Sequence, residues 1–450
     1  NISNISNISN ISNISNIFTD KTVAFGTLGC KLNFSETSTI ARSFQEQGFA
    51  RVDFKDKADV YVINTCSVTD SADKKSRAMI RQVIRQNPAA FVVVVGCFAQ
   101  LKPEEAAAIE GVDLILGAND KFNITKYLEN LEKHTSSEVH GCTFQEITAF
   151  QPSSSFGDRT RSFLKVQDGC NYFCTYCTIP LARGKSRNPS IESLVEEAKK
   201  LTAQGIKEIN LTGVNIGDFG KSTGESFLDL LKALEQTKEL VRIRMGSVEP
   251  NLLSDEIITF VANSTKLAPH FHIPLQAGTD EVLELMKRKY NTALFQQRVA
   301  AIRKQLPYAF IGVDVIAGMN GESDELFEKA FHFIKNLEVS QLHAFPYSER
   351  ANTKALFIEG VVPIKERKFR TQQLIQLSEK KLHQFYRNNL GRTATVLFEN
   401  QHDINCAGGW TENYIKVETP YQNDLLNRTR LVRLKEINGN GHVTADILLE

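Results

Sequence analysis

Short apolar runs alternate with amphipathic stretches over the first third of the chain. Three runs rich in β-branched or aromatic residues predict strands at 22–27, 60–64 and 91–95. Between them, apolar positions recur every three or four residues, which predicts helices at 35–47 and 71–86. Repeated strand–helix–strand order favours a parallel sheet covered by helices. We therefore expect an N-terminal α/β domain over residues 18–145.

The same alternation resumes at longer spacing from residue 159 to residue 388. A stretch rich in Pro, Ser and Gly precedes it, and this composition predicts a linker at 146–158. Helical stretches separate six apolar runs, which predict strands at 162–167, 208–211, 241–245, 271–273, 310–316 and 341–345. About six βα units predict a partial (β/α)6 barrel, with its functional site at the carboxyl ends of the strands.

The pattern changes again in the last part of the chain, residues 389–450. Short alternating segments predict strands at 393–398, 414–418, 429–434 and 442–448. Gly408-Gly409 and the Gly- and Asn-rich segment 438–441 are turn signals between some of them. Roughly 60 residues of this kind predict a small antiparallel β-barrel. The sequence as a whole predicts a multidomain α/β protein.

Composition narrows the class of protein. The chain has 450 residues, 42% of them hydrophobic, with 53 Lys and Arg against 52 Asp and Glu. These values indicate a folded protein of several domains and exclude a globally basic nucleic-acid binder. No apolar run approaches the ~20 residues of a membrane helix. Residues 1–17, dominated by an Asn-Ile-Ser repeat, read as a low-complexity or artefact segment that predicts no part of the fold.

No segment reads as an export signal, which favours a cytoplasmic location and reduced cysteines. The sharpest chemical signal is then Cys170-Asn-Tyr-Phe-Cys174-Thr-Tyr-Cys177, directly after a predicted strand. Iron–sulfur clusters are held by Cys thiolates, commonly four. Three local thiols leave one iron of a cubane open to a small molecule. The alternative is structural zinc, which usually needs a fourth ligand, and no further Cys or His lies nearby.

A second set of thiols is dispersed along the first domain. Cys30, Cys66 and Cys97 each follow a predicted strand. In a parallel sheet the carboxyl ends of the strands share one edge, where ligands bind, so these thiols are candidates for a second cluster with an open iron. The alternative is three buried structural cysteines. Cys142 and Cys406 lack partners of this kind and are interpreted as structural.

The residues around these thiols resemble the radical S-adenosylmethionine (SAM) superfamily, and within it the methylthiotransferase family. The motifs that carry the resemblance are Gly169–Arg187, Thr27–Asn33, Asn64–Thr69, Val95–Gln100, His272–Gly278 and Tyr347–Arg350, and the terminal barrel resembles a TRAM domain. The likeness extends over the chain after residue 18. Two segments depart from the family pattern. Gly318-Met-Asn-Gly-Glu322 lacks a Pro, and Arg350-Ala-Asn-Thr353 has Asn where the family has Gly. Asn tolerates the positive φ that such a turn needs.

The resemblance implies two [4Fe-4S] clusters: a radical-SAM cluster on Cys170, Cys174 and Cys177, and an auxiliary cluster on Cys30, Cys66 and Cys97. SAM would be both the radical source and the methyl donor. The branch most similar to this chain adds a methylthio group to C2 of N6-threonylcarbamoyladenosine at position 37 of tRNA, in the anticodon stem-loop. A flavodoxin or ferredoxin would donate electrons, and a separate source would supply sulfur. No side-chain acid or base is assigned.

Other candidates for SAM contacts follow from the expected rim of the barrel. They are Tyr172 and Phe173 in the cysteine loop, and Thr212, Gly213, Asn215, Ser247, Glu249 and Gln276 after successive strands. Each of the rim positions is equally compatible with an ordinary loop role. Asp314 lies in an apolar strand, where a carboxylate needs a partner. A hydrogen bond inside the barrel and a substrate contact are both open.

Binding of tRNA requires positive charge. The terminal barrel holds six Lys and Arg against eight Asp and Glu, so stacking by Trp410 or Tyr414 is the more natural contact there. Basic candidates occur in three other segments: Arg183, Lys185 and Arg187; Lys365, Arg367, Lys368 and Arg370; and Lys74, Lys75, Arg77, Arg81 and Arg85. A solvated helix face is the alternative for each segment.

Two further readings of the function stay open at this point. The same chemistry on isopentenyladenosine in tRNA, or on an aspartate of a ribosomal protein, is the nearer one. A non-catalytic RNA-binding protein with structural zinc is the alternative from another class.

Overall fold

A computed structural model describes residues 18–128, 131–157, 160–399 and 406–448. The predicted low-complexity segment 1–17 lies outside the described residues. The chain divides into two compact units after Thr143, close to the expected end of the first domain. Within the part of the chain that the structure describes, no helix is long and apolar enough to cross a membrane.

The first unit is a single parallel sheet with helices packed against it. Its strands are β1 Thr22–Thr27, β2 Ala50–Arg51, β3 Val60–Thr65, β4 Phe91–Gly96, β5 Leu114–Leu116 and β6 Glu138–His140. Its helices are α1 Lys31–Glu46, α2 Asp70–Gln86, α3 Cys97–Leu101 and α4 Pro103–Ala107, with a 3-10 turn at Ile124–Tyr127. The strand order is β2-β1-β3-β4-β5-β6. Every residue of β3 and β4 is buried, as expected for central strands of a sheet covered on both faces.

Helix α1 corrects the sequence expectation for this unit. The sequence predicts a helix from residue 35, whereas α1 begins at Lys31, directly after Cys30. Polar residues occupy the buried positions Asn33, Ser35, Glu36, Thr37 and Ser38, so the apolar stripe that marks a helix is interrupted there. Cys30 therefore occupies the N-cap of a helix.

The second unit begins with six parallel strands, as predicted. They are β7 Arg161–Lys165, β8 Glu208–Thr212, β9 Arg242–Arg244, β10 His270–His272, β11 Phe310–Ala317 and β12 Gln341–Pro346. Strands β7-β8-β9 and β10-β11-β12 form two three-stranded sheets. A parallel bridge between Ser247 and His272 joins the two sheets. This arrangement is the expected partial (β/α)6 barrel.

Helices of the second unit surround this barrel. They are α5 Ile179–Arg183, α6 Ile191–Ala203, α7 Phe227–Glu235, α8 Asp255–Asn263, α9 Asp280–Leu285, α10 Thr292–Gln305, α11 Asp324–Asn336 and α12 Ile364–Asn389, with 3-10 turns at Ile216–Asp218 and Lys354–Phe357. The predicted linker belongs to this unit in part. Ser153, Ser154 and Ser155 are buried. The backbone N–H of Ser155 donates to the carbonyl of Phe163, and that of Lys165 donates to the carbonyl of Ser153, across the edge of β7. These serines therefore extend the sheet and are not a solvated connector.

The terminal strands close into a barrel, also in the second unit. They are β13 Thr393–Glu399, β14 Cys406–Thr411, β15 Lys416–Pro420, β16 Thr429–Ile437 and β17 Val443–Ile447, with a 3-10 turn at Asn423–Leu425. The order around the barrel is β13-β14-β15-β17-β16. All neighbours are antiparallel except β15 and β17, which corrects the expectation of a purely antiparallel barrel.

The predicted turn at Gly408-Gly409 is wrong, because both glycines lie inside β14. A Cβ on Gly409 would approach the carbonyl oxygen of Leu397 to 2.4 Å. Glycine is required here by the close approach of β13, which is one of the few reasons for glycine inside a strand.

Buried charges connect the terminal barrel to the central strands. Glu208 on β8 is fully buried and pairs with Arg242 and Arg244 at 3.2 and 3.0 Å. The two arginines also donate to backbone carbonyls of the terminal barrel, including those of Thr395 and Glu412. Burial opposes ionisation of Glu208, but the surrounding arginines lower its pKa to about 2. The carboxylate is thus the counter-ion of the two arginines at the interface between the two barrels.

Candidate functional site

The three dispersed thiols lie at one edge of the first sheet. Cys30 follows β1, Cys66 follows β3, and Cys97 begins α3 directly after β4. These strands are neighbours in the order β1-β3-β4 and run parallel, so their carboxyl ends meet. Cys30 is exposed, whereas Cys66 and Cys97 are buried. The expected shared edge is confirmed, and ligation of a cluster there stays a prediction.

Two glycines show how closely the thiol-bearing loops approach one another. Gly29 has φ +104°, and a Cβ there would lie 3.1 Å from the Sγ of Cys66. Gly96 has φ +95°, and a Cβ there would lie 2.4 Å from the carbonyl oxygen of Thr65. Any larger residue would push the loops apart, so these glycines fit a site built from all three loops.

Two asparagines tie the same loops together. The Asn33 amide donates to the carbonyls of Leu28 and Thr65, at 2.7 and 3.0 Å. The Asn64 amide donates to the carbonyl of Asn33 at 3.1 Å, while its buried Oδ1 has no hydrogen-bond partner. Sequence reasoning missed both residues as functional, although both stand inside the motifs that carry the resemblance.

The two cysteines interpreted as structural belong to neither set. The thiol of Cys142 donates to Oε1 of Gln100 at 3.6 Å, and Cys406 begins β14 of the terminal barrel. All eight cysteines lie in the described residues, and none of them forms a disulfide.

The contiguous thiols occupy the loop between β7 and α5. Gly169 enters this loop with φ +71°, and a Cβ there would meet the carbonyl oxygen of Lys185 at 2.1 Å. Burial raises the pKa of Cys170 to about 11 and that of Cys177 to about 12. Thiolates in such a place need positive charge close by, which coordinated iron supplies.

Arg288 is a functional candidate that sequence reasoning missed. Its Nη1 donates to the Sγ of Cys174 at 3.0 Å, and its Nε donates to the hydroxyl of Tyr290 at 3.1 Å. Its other amino group pairs with Glu249. The guanidinium is buried, with 3% of the side chain exposed. The only sequence signal was the short basic run 287–289, which reads as ordinary surface charge.

Both thiol sets fit iron–sulfur clusters by the chemistry of their donors. Each set offers three thiols from loops that are held closely by glycines and hydrogen bonds. Among the described residues, no group of three or more Cys, His, Asp or Glu is arranged around a single metal ion. In a cubane each thiolate binds a different iron, so the thiols do not have to converge on one point.

Unsatisfied polar groups line the rim beside the contiguous thiols. Asn215 follows β8 and is buried, and neither amide atom has a hydrogen-bond partner of acceptable geometry. The buried Tyr172 lies close by and exchanges hydrogen bonds with Asn251. Buried amides without partners are rare and mark a place where a polar ligand completes the site. Phe173 is partly exposed with φ +49°.

Carboxylates also face this rim. Burial raises the pKa of Glu249, whereas the positive charge of Arg288 lowers it. The negative charges of Asp314 and Asp218 add to the effect of burial. These charged groups are therefore close enough to Glu249 to influence its ionisation. The remaining candidates lie at or after the carboxyl ends of the strands. Thr212 is buried at the end of β8, and the next residue, Gly213, packs against Gln167. Ser247 forms a β-bridge with His272, and Gln276 has φ +68°.

Asp314 has a defined partner in the barrel interior. Its Oδ1 lies 2.9 Å from Nε2 of His272, whose ring makes an edge contact with His343. Burial opposes ionisation, but His272 holds the pKa of Asp314 below its ordinary value. The sequence left two roles open for Asp314, a hydrogen bond inside the barrel and a substrate contact, and the structure shows the hydrogen bond.

Several basic candidates have other roles in the structure. Arg183 and Arg187 pair with the buried Asp168 at 3.1 and 3.4 Å, and Lys165 joins them at 2.6 Å. Arg183 is itself buried, whereas Lys185 between them is exposed. This corrects the interpretation of both arginines as RNA contacts, because their charge is used inside the domain.

The start of α12 gives a similar correction. Arg367 and Arg370 are buried and pair with Glu349 and Glu322 at 2.7 and 2.9 Å. Lys365 and Lys368 are exposed and remain predictions, and Trp410 is half-buried against the ring of Tyr414, with centroids 4.4 Å apart. The basic residues of α2, Lys74, Lys75, Arg77, Arg81 and Arg85, are exposed or half-buried.

The segments that depart from the family pattern are also explained. Asn352 takes φ +63°, as the sequence predicts. Asn320 stands where the family has Pro, and its amide donates to the carbonyl of Ala355 at 3.0 Å. A hydrogen bond therefore fixes the loop where the ring of Pro is missing.

Comparisons with known proteins agree with this geometry. Residues 22–117 match the family described as "Uncharacterized protein family UPF0004", and residues 164–334 match the radical SAM superfamily. The chain is 38% identical to the threonylcarbamoyladenosine tRNA methylthiotransferase MtaB of Bacillus subtilis, over 92% of this chain and 93% of that one. It is 39% identical to the protein of the same name from Aquifex aeolicus, over 88% and 96%.

A solved structure supports the fold alone. The radical SAM methyltransferase TsrM from Kitasatospora setae has a TM-score of 0.53, with 15% identity, and the match covers 72% of this chain and 75% of that one. The sequence relatives extend over nearly the whole chain and include both thiol-bearing domains. The chain therefore belongs to the radical SAM methylthiotransferase family.

Proposed function

We propose that this protein attaches a methylthio group to C2 of N6-threonylcarbamoyladenosine at position 37 of tRNA. The observation that carries the proposal is the assembly of Cys30, Cys66 and Cys97 at one sheet edge, in a chain that holds a separate three-thiol loop. A simple radical SAM enzyme needs only the second of these sites. The relatives named for this reaction share more than a third of their residues with the chain.

Two [4Fe-4S] clusters and SAM are the cofactors of this family. When bound, they supply the one-electron chemistry that an unactivated C–H bond requires, together with a route for sulfur and methyl transfer. Cys170, Cys174 and Cys177 would hold the radical-SAM cluster, and the dispersed thiols would hold the auxiliary one.

The chain's own residues would bind these cofactors and hold them in position. The positively charged guanidinium of Arg288 donates a hydrogen bond to the sulfur of Cys174 and pairs with Glu249 at the rim. The unpartnered amide of Asn215 and the carboxylate of Glu249 offer a donor, acceptors and negative charge, which suit the amino and carboxylate groups of SAM. His272 and Asp314 line the interior of the barrel.

Three parts of the proposal concern the surroundings of the enzyme. A flavodoxin or ferredoxin donates the electrons, and a separate source replaces the sulfur. The reaction takes place in the cytoplasm. We assign Lys185, which is exposed and follows the thiol loop in the chain, to the tRNA path.

The test is a reconstitution with defined substrates. The protein is loaded anaerobically with iron and sulfide, and then receives SAM, a strong reductant and tRNA that lacks the methylthio group. We expect mass spectrometry of the digested tRNA to show the methylthio derivative of threonylcarbamoyladenosine. The variant Cys174→Ala should give none, and Cys406→Ala, at the start of β14 in the terminal barrel, should give the wild-type amount.

A different result would redirect the assignment. Cleavage of SAM with unmodified threonylcarbamoyladenosine would contradict the substrate but keep the radical SAM chemistry. Isopentenyladenosine tRNA and the ribosomal protein would then be tested in the same assay.

A further inference from the structure

A cavity of about 460 Å³ lies at the amino-terminal ends of the central strands. Three segments form it: residues 303–308 before β11, residues 337–340 before β12, and the C-terminal half of α12. Its lining includes Arg303, Tyr308, Glu338, Ser340, Lys381 and Phe385. Because the strands are parallel, the loop of contiguous thiols and its rim lie at the opposite ends of the barrel. The cavity is therefore separate from the radical-SAM site.

Two cations line this cavity without a carboxylate partner. Arg303 donates to three backbone carbonyls and to Oγ of Ser340. Nζ of Lys381 donates to two backbone carbonyls at the end of α11, at 3.0 and 2.7 Å. A guanidinium carries five N–H groups and an ammonium three, so each cation keeps one N–H for a ligand. Burial lowers the pKa of Lys381 to about 8, and no carboxylate of the described residues acts against it. Cations without a counter-ion at a cavity favour an anionic ligand.

The segments around the cavity carry a local excess of positive charge. Residues 303–308, 335–340 and 380–392 contain seven Lys and Arg: Arg303, Lys304, Lys335, Lys380, Lys381, Arg387 and Arg392. Glu338 is the one acidic residue in these segments, and an excess of four remains when the flanking Glu379 and Glu436 are counted as well. Within the ranges that the structure describes, none of the seven forms an ion pair, in contrast to the paired arginines beside the thiol loop and at the start of α12. This charge is available to a ligand.

An exposed aromatic ring stands at the same cavity. The side chain of Tyr308 is 42% exposed, and Cζ of Arg392 lies 3.3 Å from the centroid of its ring. Its backbone carbonyl accepts a hydrogen bond from the amide of Asn413, in the terminal barrel, at 2.8 Å. The ring therefore has a fixed position at the junction of the two barrels. Aromatic rings and guanidinium planes are the surfaces on which RNA bases stack.

We propose that this cavity binds a nucleotide of the tRNA substrate outside the modified loop. Arg303 and Lys381 hold its phosphate, and its base stacks on Tyr308. The eight residues of β11 span about 26 Å at 3.3 Å per residue, which is the depth between this cavity and the thiol side of the barrel. A tRNA is much longer than the barrel is deep, so a molecule that presents position 37 on one side can be held on the other.

The observations favour RNA over a free nucleotide, which offers the same phosphate and base. RNA binding requires positive charge, and the terminal barrel beside the cavity has more acidic than basic residues. The unpaired cations at the cavity supply the charge that the terminal barrel lacks. The inference rests on the proposed function in requiring a tRNA substrate, and it is independent of which nucleoside is modified.

The test is the affinity of the full-length protein for unmodified tRNA, measured between 50 and 200 mM salt. Each phosphate contact contributes about 0.7–0.9 to the slope of log affinity against log salt. Over this fourfold range, Lys381→Gln should therefore lose about threefold less affinity than the wild type. Tyr308→Ala removes a stacking surface and should weaken binding about tenfold with an unchanged slope. The matched control is Lys199→Gln, an exposed lysine of α6, which should keep both values.

A purely structural role for the two cations gives a different result. Arg303 and Lys381 also hold the loop before β11 and the end of α11, so Lys381→Gln would then lower the melting temperature and keep the wild-type slope. That outcome, or unchanged affinity and slope in both variants, would overturn the proposal. Adenosine monophosphate that binds the wild type without displacing tRNA, and does not bind Lys381→Gln, would overturn it and assign the cavity to a free nucleotide. A wild-type protein that binds no tRNA would contradict the proposed function itself.

Discussion

The two thiol sites are built in opposite ways. The first collects Cys30, Cys66 and Cys97 from the ends of three neighbouring strands, and its geometry depends on the whole sheet. The second places three thiols in one loop, fixed by Gly169 and Arg288. A site assembled from distant segments is sensitive to how the strands pack, whereas a site within one loop is sensitive to what surrounds that loop. The difference leads to different expectations for substitutions in each.

Loss of one thiol should separate the two sites most clearly. We expect Cys174→Ala to abolish both SAM cleavage and methylthio transfer, because each radical event begins at that loop. Cys66→Ala should abolish transfer but keep SAM cleavage. Measurement of 5′-deoxyadenosine and of the modified nucleoside in one reaction distinguishes the two losses. Equal loss of SAM cleavage in both variants would contradict the division of roles.

The sequence predicted the two sites with unequal completeness. The triplet was visible as a local motif, because all of its ligands lie within eight residues. The dispersed set required only that three predicted strands be parallel and adjacent, which alternating βα order indicates. The residues that hold the thiols were not predictable in the same way. Arg288 and Cys174 are far apart along the chain, and only the packed barrel brings them together.

Fold prediction failed where tertiary contacts override local signals. Gly408-Gly409 reads as a turn, but the close approach of β13 requires glycine within a strand. Arg183, Arg187, Arg367 and Arg370 read as a basic surface, but each is paired with a carboxylate in the domain interior or at its edge. Charge count along a sequence does not show which charges are neutralised. The strands β2, β5 and β6 are too short to produce a recognisable pattern.

Glu208 tests whether the two units are energetically separate. Glu208→Gln leaves Arg242 and Arg244 buried without their counter-ion, and breaking a buried ion pair in this way costs about 3–5 kcal/mol. We expect the loss in the unit that carries the triplet and the terminal barrel. Thermal unfolding followed by limited proteolysis should show that unit melting earlier, with the first unit unchanged. Glu196→Gln, on the exposed face of α6, is the matched control.

The same residue gives a pH dependence of known sign. The folded-state pKa of Glu208 is about 2, below the ordinary value of about 4.3. Its carboxylate therefore contributes stability above the ordinary pKa, and this contribution is lost as the pH falls through about 4 towards 2. Acid titration of the Glu208→Gln variant should lack this component. An identical acid profile in both proteins would contradict the assignment.

A substitution at Gly96 tests whether the site of Cys30, Cys66 and Cys97 depends on close packing of its loops. Gly96→Ala places a methyl group 2.4 Å from the carbonyl oxygen of Thr65 and requires a positive φ. We expect about 2–4 kcal/mol of destabilisation from overpacking and backbone strain together. The loops of Cys66 and Cys97 should separate, so iron bound to the first site should fall while iron at the triplet is retained. Gly205→Ala has a similar φ of +90° and open space around the new methyl group, so it isolates the backbone contribution. Equal losses in the two variants would show that contact with the Thr65 loop is unimportant.

A substitution at Arg288 tests how the surroundings of the Cys170–Cys177 loop influence its cluster, and it has the smallest expected effect. Its guanidinium donates to the sulfur of Cys174, and a positive charge beside a cluster ligand favours the reduced, more negative state. Loss of one charge-assisted hydrogen bond of about 1.5 kcal/mol corresponds to about 60 mV for a one-electron couple. We therefore expect Arg288→Met to lower the reduction potential of the triplet cluster by up to about 60 mV, with Arg288→Lys between it and the wild type. A redox titration followed by electron paramagnetic resonance measures this directly, and Arg298→Met on α10 is the control. Because the substitution also removes the partner of Glu249, potential is a cleaner readout than rate. An unchanged potential would mean that the arginine serves the rim through Glu249 and does not tune the thiol loop.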